Sequence, residues 1–117
     1  MSNPNKQRGS AFESALAKYL RERGHDAERL ALRGNRDEGD LVLRLPTGDR
    51  FVIEAKATAR IDLAGWVAQA EAEVKNYGEH RGIMPAGFAV VYKRRGYGIG
   101  QSYVIMPLDE WISQVAS

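Results

Sequence analysis

Near the start of the chain, apolar residues recur at helical spacing. Phe12, Leu16, Tyr19 and Leu20 share one face of a helix that Ser10 is placed to cap and Gly24 to stop, which predicts helix from Ser10 to about Arg23. The pattern then changes to period two: residues 27 to 32 read as a short strand, followed by a polar glycine-containing loop from Arg33 to Gly39. Leu41, Leu43 and Leu45 alternate with Asp40, Val42 and Arg44, a Pro46-Thr47-Gly48-Asp49 turn follows, and a second alternating run spans Arg50 to Ala57. That is a β-hairpin signature. Helical spacing returns over 63 to 77, with Leu63, Trp66, Val67, Ala70 and Val74 on one face, alanines and glutamates filling the rest, and Gly78 as the stop. A strand from Gly87 to Tyr92, a basic glycine-rich connection, a strand from Ser102 to Met106 and a short helix opened by Pro107 complete the chain. The predicted order is α-β-β-β-α-β-β-α, a single α/β domain over 1–117 with a central mixed sheet flanked by helices, and residues 1–8 are expected to form a flexible tail.

With 117 residues, any activity is built from one core or completed by self-association. No apolar run approaches the roughly 20 residues that span a bilayer, and the polar stretch from Met1 to Gly9 lacks the apolar segment of a signal peptide, so the expected location is the cytoplasm. Cysteine is absent, which excludes disulfides, thiolate zinc sites and cysteine nucleophiles and leaves oxygen or imidazole as metal ligands. His25 and His80 lack metal-ligand spacing and are assigned no role. The net charge of +2 decides little. Its distribution says more, because basic residues concentrate in glycine-rich segments: Lys6 with Arg8, Arg33 with Arg36, and Lys93 with Arg94 and Arg95. Such loops suit phosphate contacts, although a merely solvated loop has the same composition.

Chemistry concentrates on the first hairpin. In the run from Arg50, strand alternation sets Val52, Glu54 and Lys56 on one face and Phe51, Ile53, Ala55 and Ala57 on the other. A carboxylate and an ammonium about 7 Å apart along a strand can reach one phosphate and its attacking water. The carboxylate would hold a magnesium ion, and Lys56 would orient the nucleophile and stabilise developing charge. A solvent-facing Glu-Lys pair on an edge strand has the same pattern. Asp40 sharpens the picture, since it opens the partner strand after Gly39. Its face depends on register: a four-residue loop over Pro46 to Asp49 sets it opposite Ala55, on the wrong face, whereas a three-residue loop over Thr47 to Asp49 sets it opposite Lys56, on the face of Glu54. An odd loop or a bulge is the expectation. Glu13 lies roughly 20° from Leu20 at helical spacing, at the border of the first helix's apolar stripe, where a carboxylate needs a partner: a shared metal or a nearby arginine.

Glu13 on the first helix, Gly39-Asp40 opening a strand, and Glu54-Ala55-Lys56 on the next resemble the signature of the PD-(D/E)XK nucleases over nearly the whole chain. Gly39 stands where that motif has proline. Within the class the chain is most similar to the archaeal-type Holliday junction resolvases and their phage-encoded relatives. The resemblance implies a restriction-endonuclease-like domain acting on branched DNA, with Asp40 and Glu54 binding magnesium or manganese, the Ala55 carbonyl contributing a ligand, Lys56 catalytic and Glu13 completing the site. It also implies a homodimer, as symmetry does independently: paired incisions in a four-way junction by a chain with one site need a two-fold pair. Trp66 or Trp111 could form that interface, or serve as ordinary core. Gly96-Tyr97-Gly98-Ile99-Gly100 is read as a flexible hairpin tip whose Tyr97 could stack on an exposed base at a branch point. An exonuclease or repair nuclease of the same class, or a binding module without catalysis, are the alternatives, because fold does not fix substrate.

Overall fold

The computed structural model describes residues 4–31 and 37–116, with side chains described from Gly9 onward. Helix α1 (Pro4–Glu22) is followed by strands β1 (Asp26–Arg29), β2 (Leu41–Arg44) and β3 (Arg50–Lys56), helix α2 (Leu63–Arg81), strand β4 (Gly87–Tyr92), a 3₁₀ turn over Ile99–Gln101, strand β5 (Tyr103–Ile105) and helix α3 (Leu108–Val115). The five strands lie in the order β1-β2-β3-β4-β5. β3 and β4 pair parallel while the other neighbours pair antiparallel, which gives the mixed α/β sheet in the predicted order. Among the described residues, no helix is long and apolar enough to cross a membrane.

Each face of the sheet carries its own core. Phe12, Leu16 and Ala17 of α1 pack on Leu41, Ile53, Ala55 and Val91. On the other face Trp66, Ala70 and Tyr77 of α2 pack on Val42, Val52, Phe88 and Val90. β2 and β3 are thus covered on both faces, which excludes the solvent-facing edge-strand reading of Glu54 and Lys56. Trp66 belongs to this core and is not available to an interface.

Three boundaries differ from expectation. α1 begins at Pro4, so Ser10 is an interior residue and not the cap, and the backbone is already helical over part of the expected tail. α2 runs through Gly78, which packs against Ile83 and Pro85, and stops at Gly82, whose left-handed φ of 63° is the actual C-cap. Asp62 caps its start by accepting from Gly65 N–H at 3.0 Å. β1 ends at Arg29, short of the predicted 32.

The hairpin register also departs from both alternatives weighed above. Arg44 pairs with Arg50, so the loop is Leu45 to Asp49, an odd count, closed by Leu45 N–H to Asp49 O at 2.8 Å. Continued one step past Leu41↔Ile53, this register brings Asp40 level with Glu54 rather than Lys56. Asp40 N–H nevertheless donates to Ile53 O at 3.0 Å, so Asp40 and Leu41 both face Ile53, a local bulge. Gly39 makes the entry possible. Its φ is +102°, and a Cβ there would stand 2.7 Å from Val52 Cγ1.

Gly39→Ala is expected to destabilise the fold by about 2 kcal/mol through left-handed strain and the clash with Val52. Urea denaturation measures this, and an unchanged midpoint would show that the turn is not as tightly held as its geometry requires.

Candidate active site

The bulge sets Asp40 at the start of the inner strand β2, at the end of the sheet between the two cores. Its carboxylate Oδ2 accepts from Ala55 N–H at 2.8 Å. Lys56 O accepts from Lys93 N–H on the β4 side at 2.9 Å, so by strand alternation the N–H and C=O of Ala55 point the other way, towards β2. β2 begins its ladder at Leu41, opposite Ile53, and leaves that carbonyl beyond the paired region.

Glu54 points from β3 towards α2 and is only 4% exposed. Its Oε1 accepts from Gln69 Nε2 at 3.3 Å and lies 3.5 Å from Lys56 Nζ. Lys56 Nζ also donates to Gln69 Oε1 at 2.8 Å, so a glutamine of α2 ties the acid and the lysine of the motif together. Across from Glu54 stands Glu73, also from α2 and 2% exposed. Oε2 of Glu54 and both oxygens of Glu73 lack a hydrogen-bond partner among the described residues when both groups are carboxylates. A proton shared between them would supply a donor, and burial favours it: desolvation, then the facing carboxylates, push Glu54 far above the ordinary range and raise Glu73 as well.

Glu13 reaches the same end of the sheet from the α1 face. It lies 3.7 Å from Arg29, and burial followed by the neighbouring Asp40 pushes its carboxyl up to about 7. Of the two partners considered from sequence, a shared metal or an arginine, the arginine is found, and Asp40 stands beside Glu13 as well. Arg29 is in turn hydrogen-bonded to Ser14 at 2.8 Å.

The turn that delivers Asp40 is fastened from the α2 side. Asp37 Oδ1 accepts from Gly39 N–H at 2.9 Å, and Asn76 Nδ2 donates to Asp37 O at 2.8 Å. Glu38 is 1% exposed and is held by Arg81 and by His80 Nδ1, the latter at 2.8 Å. Burial alone would raise its carboxyl, but the hydrogen bonds from Arg81 and His80 outweigh burial and hold it below the ordinary range. His80 thus has a positional part that its sequence context did not suggest.

Of the other predicted residues, Lys93, Arg94, Arg95 and Tyr97 line a groove of 760 Å³ with Thr58, Tyr92 and Tyr103. It adjoins the site through the Lys93 N–H to Lys56 O bond. The Arg94 guanidinium lies over the Tyr97 ring, 3.6 Å from its centroid. The side chains of Lys6 and Arg8, and residues Arg33 and Arg36, lie outside the described residues.

Among the described residues, no three acidic or histidine side chains converge closely enough to chelate one ion together. The carboxylates meet pairwise instead, Glu13 with Asp40, Asp40 with Glu54, and Glu54 with Glu73. An all-oxygen set with unpaired buried atoms still fits a hard cation such as magnesium, which keeps several waters and needs only one or two carboxylates from the protein.

The fold has a counterpart among solved structures. The chain superposes on Hjc of Archaeoglobus fulgidus, a Holliday junction resolvase from an archaeal hyperthermophile, with a TM-score of 0.50 and 23% sequence identity, over 76% of this chain and 66% of that one. The two share a fold. The chain therefore spans about two thirds of the length of the resolvase it matches. No family model matches the sequence, and no curated protein matches it. Glu73 and Gln69 escaped the sequence reading, although Glu73 continues the stripe Trp66, Ala70, Tyr77 and so had to be buried.

Raised carboxyl values make folding pH-dependent. Glu13, Glu54 and Glu73 hold protons more tightly folded than at their ordinary value of 4.5, so the stability they contribute is complete below that pH and is lost as pH rises, for Glu13 through about 7. Glu28 and Glu38 are shifted downward and lose stability only in more acidic solution. The melting temperature in chelator is expected to fall between about pH 5 and about pH 8, and a flat or rising profile in calorimetry would contradict the burial of these groups.

Proposed function

We propose that the chain is a divalent-metal-dependent DNA endonuclease that cuts four-way junctions as a homodimer. The observation that carries this reading is the meeting of Asp40, Glu54 and Lys56 at one end of β3, with the buried Oε2 of Glu54 unpaired among the described residues. Likeness of fold to an archaeal resolvase and the matching order of the motif residues support it.

Asp40, Glu54 and the Ala55 carbonyl would hold magnesium or manganese. Bound there, the ion would supply Lewis-acid stabilisation of a phosphoryl group and make a water that it holds more acidic than bulk water. The remaining work falls to this chain's own side chains. Asp40, fixed by Ala55 N–H, keeps its second oxygen for ligation. Lys56 is oriented by Gln69 and Glu54, so its ammonium has one N–H left for a non-bridging phosphate oxygen or for the attacking water. Glu13, whose carboxyl is pushed up to about 7, is poised to exchange a proton near neutral pH.

The basic groove beside Lys56 suits the phosphate backbone, with Lys93, Arg94 and Arg95 on its wall. Paired incisions call for two sites related by a two-fold axis. The exposed apolar face of α3, with Leu108, Ile112, Val115 and Trp111 (49% exposed), suits the contact between copies.

A labelled synthetic four-way junction, compared with linear duplex and single strand in magnesium or chelator, tests this directly. Symmetric paired nicks on the junction are expected. Glu54→Ala and Lys56→Ala should each lower the rate on the order of 10³-fold, the scale seen when a group stabilising the transition state is removed. Degradation from linear ends would make the protein an exonuclease, and binding without metal-dependent cleavage would leave a DNA-binding module.

A further inference from the structure

We propose that Glu73, on α2, is a direct carboxylate ligand of a divalent cation that it holds pairwise with Glu54, which it faces across the site, and that it lies outside the Asp40, Glu54 and Lys56 pattern. The inference rests on the reading of Asp40 and Glu54 as cation-binding groups and adds a ligand from a different element. Its basis is burial without a partner. Glu73 is 2% exposed, and neither of its oxygens has a hydrogen-bond partner among the described residues. An ionised carboxylate taken out of water needs a compensating charge or donors, and the groups that act on Glu73 are the carboxylates of Glu54, Asp37 and Asp40.

The surroundings define what would supply that compensation. Lys56 is engaged by Gln69 and by Oε1 of Glu54, which leaves Oε2 of Glu54 unpaired with Glu73. The Cβ of Glu73 lies 4.0 Å from where a Cβ on Gly39 would stand, so its stem is packed against the turn that delivers Asp40. Asp40, Glu54 and Glu73 carry three formal negative charges and Lys56 one positive. Glu13 and Asp37 add two further carboxylates and Arg29 one further cation, so the cluster keeps an excess of negative charge that a divalent cation would offset. Asp37 lies nearby but is exposed, and one of its carboxylate oxygens accepts from Gly39 N–H.

A hard cation with retained waters is satisfied by two carboxylates placed in this way, so a pairwise arrangement of the acids suffices. The position of Glu73 on a long helix anchored by Trp66, Ala70 and Tyr77 fixes it rigidly. Binding at this pair would couple α2 to β3 and to the bulge at Asp40.

Manganese titration of the full chain without DNA, followed by the spin-resonance signal of free Mn²⁺ and by thermal melting, is the test. Glu73→Gln keeps the shape and removes the charge, and Glu71→Gln, on the exposed side of the same helix, is the control. Glu73→Gln is expected to weaken Mn²⁺ binding at least about tenfold, shrink the metal-induced rise in melting temperature, and leave the metal-free protein as stable as the native chain or more so. Glu71→Gln should match the native protein. Unchanged Mn²⁺ affinity in Glu73→Gln overturns the inference, as does a native chain that takes up no Mn²⁺. Binding that depends on Glu73 in a protein that cuts no DNA upholds this inference and overturns the nuclease reading instead.

Discussion

Several carboxylates are held out of water at one end of the central strand, and the rest of the architecture is arranged around that electrostatic conflict. Glu54 and Glu73 are almost fully buried and face each other, with Asp40 and then Glu13 beside them. Arg29 and Lys56 offset part of this charge, at 3.7 Å from Glu13 and 3.5 Å from Glu54. Like charges so placed cannot all ionise without a counter-charge. The upward shifts of Glu13, Glu54 and Glu73 point to protons as one way to meet that requirement, and in the enzyme proposed above a divalent cation would be the other. Stability and the proposed activity would therefore draw on the same group of side chains.

Holding such a site together requires stiff supports, and the fold provides them on both faces of the sheet. α1 brings Glu13 to the end of the sheet through the packing of Phe12, Leu16 and Ala17, while α2 brings Gln69 and Glu73 through Trp66, Ala70 and Tyr77. Asp40 lies between them because the Gly39 turn and the bulge at Ile53 turn its carboxylate inward, onto Ala55 N–H. Glu38, clamped by Arg81 and His80 at the end of α2, fastens that turn to the helix. Misplacing the turn would move a carboxylate by more than a hydrogen bond tolerates.

Much of this was legible from residues alone. Period-two alternation correctly paired Glu54 with Lys56 on one face, and helical spacing correctly set Glu13 at the border of the α1 stripe. Alternation fixes which residues share a face but not which residues pair: the odd loop, expected because it brings the acids together, is found, but the register is shifted by two residues, with Asp40 level with Glu54 instead of Lys56. Gly78 was mistaken for a stop because a glycine that permits close packing and one that ends a helix look alike in sequence; only φ, at Gly82, tells them apart. Glu73 was passed over among the glutamates of α2, though its place in the buried stripe was visible. Gln69 left no such signal, since its part depends on reaching Lys56 across two elements.

Diffraction from crystals soaked in manganese, with anomalous scattering at the metal edge, tests the central claim most directly. A strong peak on the Glu54 carboxylate, shared with Asp40 and the Ala55 carbonyl or with Glu73, is the predicted result. Absence of any peak there at saturating metal, with Glu54 and Glu73 still turned towards each other, would contradict it and leave the buried acids as a proton-sharing structural cluster.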